Sequence, residues 1–213
     1  MDRTYSLRVL ICFLATCFAC TAIAQTIYLT NPSFEDEPRA NKAAHGWQDC
    51  GTIFPGETPP DIHPAGLWEV SQLPSDGRSY IGLVVRDNNT WEFIGQKLND
   101  TLKAGKTYRF EADLCVSQRY ISFTRTNFTE PTNYNTPVKV RIWGGNEICQ
   151  KLELLAQSEP VKNKKWRRYT FTLKPESNLS SIILEAFYES ASEVPYNGHV
   201  LIDHASDLIP ISE

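Results

Sequence analysis

Few side chains in this chain stand where they could do chemistry. The four histidines, His45, His63, His199 and His204, include no pair at a zinc-ligand spacing such as the i, i+4 pair of a metalloprotease helix. Ser79, in "DGRSYIG", lies inside a strand pattern and lacks the Gly-x-Ser-x-Gly turn that exposes a hydrolase nucleophile. A glycosidase needs two carboxylates about 5 to 10 Å apart across a cleft. Glu92, Glu111 and Glu185 are the candidates, and no compact motif sets two of them on one strand face. The chain therefore reads as a binder before it reads as an enzyme.

Recognition is better provided for. In "PVKVRIWGG" the alternation turns Val138, Val140 and Ile142 inward, which sends Arg141 and Trp143 to the opposite face. Glu185, in "LEAFYE", joins that face if Leu184 and Ala186 point into the core. A pyranose offers an apolar C–H face to an indole and hydroxyls to fixed polar groups, so Trp143 with Arg141 and Glu185 is a candidate glycan platform. Trp68, Trp91 and Tyr120 come from strand ends or loops and make a candidate second platform at a rim. Trp47 and Trp166 read as packing residues. The segment "SQRYISFTRTNFTEPTNYNTP" is long for a loop, and Arg119, Tyr120, Arg125 and Tyr134 suit it to a ligand rim as well as to a decorated edge meander.

The elements that must carry these residues are strands. "KTYRFEADLCVS" sets Tyr108, Phe110, Ala112, Leu114 and Val116 against Arg109, Glu111, Asp113 and Cys115, a strand with one face in a core. "WRRYTFTLKP" repeats the device with Tyr169, Phe171 and Leu173, and Pro175 ends it. Further strands are expected at "LWEVSQL", "RSYIGLVV", "WEFIGQKL", "SIILEAFYE" and "GHVLIDHA", and "KLELLAQS" fits a short helix or an edge strand. Eight or more strands spaced by turns in one domain imply an all-β fold, a single antiparallel β-sandwich or jelly roll.

The ends of the chain add two expectations. Residues 1–24 carry Arg3 and Arg8 before the apolar run Val9 to Ala19 and close on Ala22-Ile23-Ala24, the pattern of a cleaved export signal. Residues 25–213 are then one exported domain, periplasmic, surface-held or secreted, with no transmembrane segment. "LATC" approximates a lipobox, but Thr16 before Cys17 fits poorly, so lipid anchoring is the lesser expectation. Without the signal the chain keeps 19 basic and 24 acidic residues, a charge of −5 that argues against nucleic acid as a partner. Cys50, Cys115 and Cys149 remain, enough for one disulfide and one thiol. Cys50 and Cys149 flank Gly-rich turns and are the favoured pair, while Cys115 sits in a strand pattern as a small buried residue. At the start, "NPSFEDEP" offers Phe34 as a plug between the sheets and sets Glu35 and Asp36 near Asp203 if the two termini lie side by side. Carboxylates so placed either stay solvated around a turn capped by Asn31 or share a cation.

With "NPSFEDEP...GW", "YIGLVV", "IGQKLNDTLKAGKTYRFEADLCVS" and "HVLIDHASDL" the chain resembles the carbohydrate-binding jelly-roll modules with a galactose-binding-like fold, especially exported bacterial ones, over nearly all of residues 25–211. The resemblance implies a structural Ca²⁺ held by Ser33 or Glu35, by Gly66 and by Asp203, with calcium's preference for six to eight oxygens as the physical reason. It also implies a glycan as the partner. The alternative of another class is a structural or adhesive envelope protein that uses the same sandwich to bind a protein.

Overall fold

A computed structural model describes residues 25–51, 59–126, 128–189 and 194–212; residues 1–24, expected to be an export signal, lie outside these. Fourteen strands are described, in chain order β1 (Gln48–Asp49), β2 (Asp61–His63), β3 (Tyr80–Arg86), β4 (Thr90–Trp91), β5 (Phe93–Leu102), β6 (Thr107–Cys115), β7 (Ile121–Phe123), β8 (Pro131–Asn133), β9 (Val138–Gly145), β10 (Glu153–Gln157), β11 (Arg167–Leu173), β12 (Leu179–Tyr188), β13 (Gly198–Asp203) and β14 (Ile209–Ile211). One sheet runs β1-β5-β12-β9-β10, a second β11-β6-β13-β3-β2 with β14 on β6 and β4 on β3, and β7-β8 form a hairpin. Every strand pair is antiparallel. Among the described residues no helix is long and apolar enough to cross a membrane.

The alternation seen in the sequence builds the layers. Tyr108, Phe110, Ala112 and Leu114 of β6, Val138, Val140 and Ile142 of β9, and Phe171 and Leu173 of β11 meet between the sheets. Residues at every second position of a strand share a face, so each of these runs buries one side between the sheets. "KLELLAQS" resolves as the edge strand β10, paired to β9 with a register shift between Leu154 and Ala156. The termini do meet: Ile27 bridges Leu208, and the Ala205 N–H donates to the Pro32 carbonyl at 3.0 Å. Phe34 is fully buried beside Trp47, ring centroids 5.2 Å apart, which confirms both as packing residues. Burial of that benzyl group alone is worth about 1.5–3 kcal/mol.

Two expectations change. "LWEVSQL" is not a strand: Leu67–Glu69 is a 3-10 turn opened by Gly66, with Trp68 and Glu69 at φ 55° and 60°. The Trp68 indole is drawn back to Asp61, donating at 2.7 Å, and extended backbone could not make that reach so soon after β2. The second sheet, moreover, is buried on both faces over much of its length. Val70, Tyr80, Val84, Cys115, Tyr120, Tyr134 and Leu201 form a second core on its outer side. The 118–136 segment folds over this side, with its Tyr134 carbonyl accepting from His199 and its Asn133 amide oxygen accepting the Tyr120 N–H. A strand covered on both faces reads as a continuous apolar run, as "YIGLVV" does.

Candidate functional site

The outer face of the five-stranded sheet gathers the first platform. The register places Arg141 opposite Glu185 and Trp143 opposite Ile183 on β9 and β12, and Phe93 of β5 opposite Glu185 from the other side. Trp143, Arg141 and Glu185 therefore share one face, as their alternation requires. The Glu185 carboxylate is itself buried and acts as the hub. Its Oε2 accepts the Trp143 indole N–H at 2.6 Å; its Oε1 accepts the Trp91 indole N–H at 2.6 Å and a Lys151 ammonium hydrogen at 2.7 Å. Two indoles fixed on one ionised acceptor are held far more firmly than two free tryptophans, because charge-assisted bonds are roughly twice as strong as neutral ones.

Around that hub lie residues that the sequence analysis did not single out. The Arg141 guanidinium stacks 3.4 Å from the centre of the Phe187 ring, and the Trp91 ring meets Phe187 edge-on at 5.0 Å. Lys151 stands 3.9 Å over Phe93. Phe187 was legible: it is two residues past Glu185 on β12 and must share its face. Lys151 was not, since it belongs to the connection between β9 and β10. That connection is held by a disulfide, Cys50–Cys149, as favoured, with Cys115 free and buried. The bridge crosses the sheet above Gly95, where a Cβ would come within 3.2 Å of the Cys50 Sγ. It covers the row of Gly95 and Ile183, which Trp143 continues on β9, while Arg141 and Phe187 lie further along the face, away from the bridge.

The second platform does not form as one unit. Trp91 joins Trp143 on the five-stranded sheet, whereas Trp68 and Tyr120 line a cavity of about 240 Å³ on the other one, together with Asp61, Arg86, Glu92, Arg125 and Tyr134. Tyr120 is buried there, donating its O–H to the Asp61 Oδ2 at 2.8 Å. The separation follows from chain placement. Trp91 ends the short strand β4 and turns directly into β5, which belongs to the opposite sheet.

This cavity is rich in carboxyl groups, and each is engaged. Asp61 Oδ2 also takes the Trp68 indole, and its Oδ1 takes the Asn41 N–H at 2.9 Å. Glu92 Oε2 accepts the Val84 N–H, and its Oε1 pairs with Arg86. Burial pushes the Glu92 carboxyl up, to about 8, against the pull of the Arg86 guanidinium; burial raises Asp61 as well. Glu111 lies elsewhere, accepting from Thr170 beside Arg168. The three glutamates that were candidates for a hydrolytic pair are thus spread over separate places, and no two of them face each other across an open cleft.

The residues implied for calcium meet only in part. Ser33, Glu35 and Asp203 all close on the loop Ser75–Ser79, while Gly66 serves the Trp68 turn. Glu35 Oε1 accepts the Arg78 N–H at 2.9 Å and the Ser79 N–H at 3.3 Å. Asp203 Oδ2 accepts the N–H groups of Ser75 and Asp76 at 2.7 and 3.0 Å, and its Oδ1 that of His204. Loop backbone fills the gap: a Cβ on Gly77, at φ 57°, would lie 2.0 Å from Glu35 Oε1. Oxygens aimed at main-chain donors do not present the converging shell that calcium takes, so this donor set does not fit the ion. Among the described residues no group of three or more His, Cys, Asp or Glu is placed to hold a metal. Asp36 turns away to Arg39 at 3.0 Å and lies below its ordinary pKa: although burial raises it, the Glu37 and His45 N–H groups and Arg39 together outweigh that.

Neither a protein-family model nor a curated protein sequence matches the chain. Solved structures match at the level of fold. The K1 cleaved adhesin domain of Lys-gingipain from Porphyromonas gingivalis W83 is similar with a TM-score of 0.51 at 8% identity, over 84% of this chain and 96% of its own length. An apo cyclase from Fischerella sp. gives 0.52 at 15% identity, over 88% and 96%. The CBM22-1-CBM22-2 tandem domain of Paenibacillus barcinonensis Xyn10C gives 0.51 at 15% identity, over 92% of this chain and 48% of that one. At such identities the likeness is one of fold, and the fold is the jelly-roll β-sandwich common to carbohydrate-binding modules and adhesin domains.

Proposed function

We propose that this chain is an exported, non-catalytic carbohydrate-binding protein that holds a glycan on the outer face of its five-stranded sheet. The observation that carries the reading is the pair of indoles, Trp143 and Trp91, fixed on the buried Glu185 beside Arg141. Pre-set aromatic faces next to a few polar groups are what a sugar ring needs, and fixing them beforehand removes the ordering cost of binding. Glu185 is the one carboxylate at an outward position of β9 and β12, and its oxygens are already spent on Lys151 and the indoles. A second acid to partner it in hydrolysis is missing from those positions. Export is supported by the Cys50–Cys149 bridge, which persists in oxidising compartments, and by the leader pattern of residues 1–24. The tandem domain from Xyn10C supports a glycan as the ligand of such a sandwich in general terms.

A glycan array of the mature chain tests this directly. Binding to at least one oligosaccharide is expected, with Trp143→Ala weakening it tenfold or more while the melting temperature moves by a few degrees only. Binding to no sugar, or binding indifferent to the loss of the indole, would hand the face to a protein partner instead.

A further inference from the structure

The charges on this face are at odds with those of the whole molecule. The chain is acidic, with a formal charge of −4. On this face, however, the partly exposed residues around the buried Glu185 are Lys139, Arg141 and Trp143 of β9 and Phe187 of β12, with Lys151 reaching in from the β9–β10 connection. One carboxylate, Glu185, thus stands among three cations, Lys151, Arg141 and Lys139, which leaves a surplus of positive charge beside the tryptophan.

Resting on the glycan-binding reading above, we infer that the ligand is an acidic glycan, and that Arg141 holds the carboxylate of a uronic acid residue lying next to the Trp143 ring. Arg141 is placed for that task. Its guanidinium is clamped flat on Phe187 at 3.4 Å, and its Nε is buried with no hydrogen-bond partner. Its register partner Glu185 is the obvious counter-ion, yet both Glu185 oxygens are committed to other donors. The Nε is sealed from solvent, so the donors that a ligand can reach are the two terminal nitrogens of the guanidinium. The planar fork of arginine matches a carboxylate in two parallel N–H···O bonds, a match that a neutral hydroxyl does not offer. Lys139 stands two residues along β9, opposite Phe187, where it would meet the next acidic unit of an oligomer.

The test uses the mature protein and uronate oligosaccharides (galacturonate, alginate and hyaluronan fragments), each paired with its carboxyl-reduced counterpart, in which only the acid has become a primary alcohol. Sulfated galactan fragments are included alongside. At least one uronate oligomer should bind ten times or more tightly than its reduced form. That margin should vanish in Arg141→Gln, shrink in Lys139→Gln, and fall as salt is raised, while Trp143→Ala loses both members of the pair. Melting curves of each variant establish that the loss is not one of folding. Equal binding of acid and reduced forms overturns the acidic inference and leaves the glycan reading standing. Arg141-dependent binding of the sulfated fragments alone would overturn the carboxylate assignment, and binding of no oligosaccharide would bring down both.

Discussion

Removing the Cys50–Cys149 bridge should cost this domain a large part of its stability. The two residues are 99 apart in sequence, so the bridge closes a loop of about half of residues 25–213. Loop-closure entropy in the unfolded state then sets an upper figure of about 4.7 kcal/mol for a loop of about 100 residues. In a domain of this size each kcal/mol moves the melting temperature by roughly 2–4 °C, so Cys50→Ser/Cys149→Ser should melt about 10–20 °C lower. Local packing adds to the loss, because the bridge lies over Gly95 and beside the buried Ile183. Urea unfolding of the native and double-variant proteins measures the difference directly, and a larger m-value is expected for the double variant, whose unfolded chain is no longer held compact by the link. Cys115→Ser is the control, since that thiol is free. A double variant within about 1 kcal/mol of the native protein would refute the reasoning. It would mean that bonds such as Ser181 Oγ to the Glu147 carbonyl, at 2.8 Å, hold the connection unaided, and that the unfolded chain is already compact without the link.

Two further outcomes follow from buried groups. His63 and His199 are both enclosed, and burial lowers each to about 4, with His199 adding to the effect on His63. The folded protein therefore binds fewer protons than the unfolded chain between about pH 6.5 and 4, and stability falls as pH drops through that window, by at most ~3 kcal/mol per histidine. Asp203, raised to about 6 by burial, has the opposite sign: its contribution is present below its ordinary 3.8 and is lost as pH rises through about 6, so it offsets part of one histidine's share. Neither ring nitrogen of His63 has a partner, so His63→Leu should flatten the acid limb of a stability-versus-pH curve; an unaltered limb would contradict this account. For the Ser75–Ser79 loop, a chelator should leave the melting temperature where it is, whereas Asp203→Ala should lower it by several degrees by freeing three main-chain N–H groups. A chelator-induced drop that calcium restores would mean that the loop opens to admit the ion.

What could be read in advance was whatever alternation controls. β6, β9 and β11 each press one face into a shared core, so period two alone placed Phe110, Ile142 and Phe171 inward and, by exclusion, Trp143 and Arg141 outward. Glu185 followed from the same rule on β12, and Phe187 would have followed with it. The failures lie where position depends on contacts distant in sequence. Trp68 has the residue type of a platform, but its backbone is left-handed and its indole is tied to a carboxylate at the end of β2. Tyr120 looks like a loop aromatic because nothing local announces that its segment lies down over β3 and β13 as a second core. The acidic opening stretch called for a counter-charge, and a cation and a row of amide hydrogens satisfy that demand equally well on paper; only the approach of Ser75–Ser79 decides for the amides. Lys151 is the sharpest case. Its charge was visible in the sequence, but its seat over Phe93 lies in a connection between β9 and β10 that is pinned across the sheet by a disulfide between residues 99 apart in sequence. The same link that stabilises the fold thus sets the electrostatics of the binding face: with Lys151 in place Glu185 is neutralised, and without it Arg141 would have an internal partner and no need of an external one.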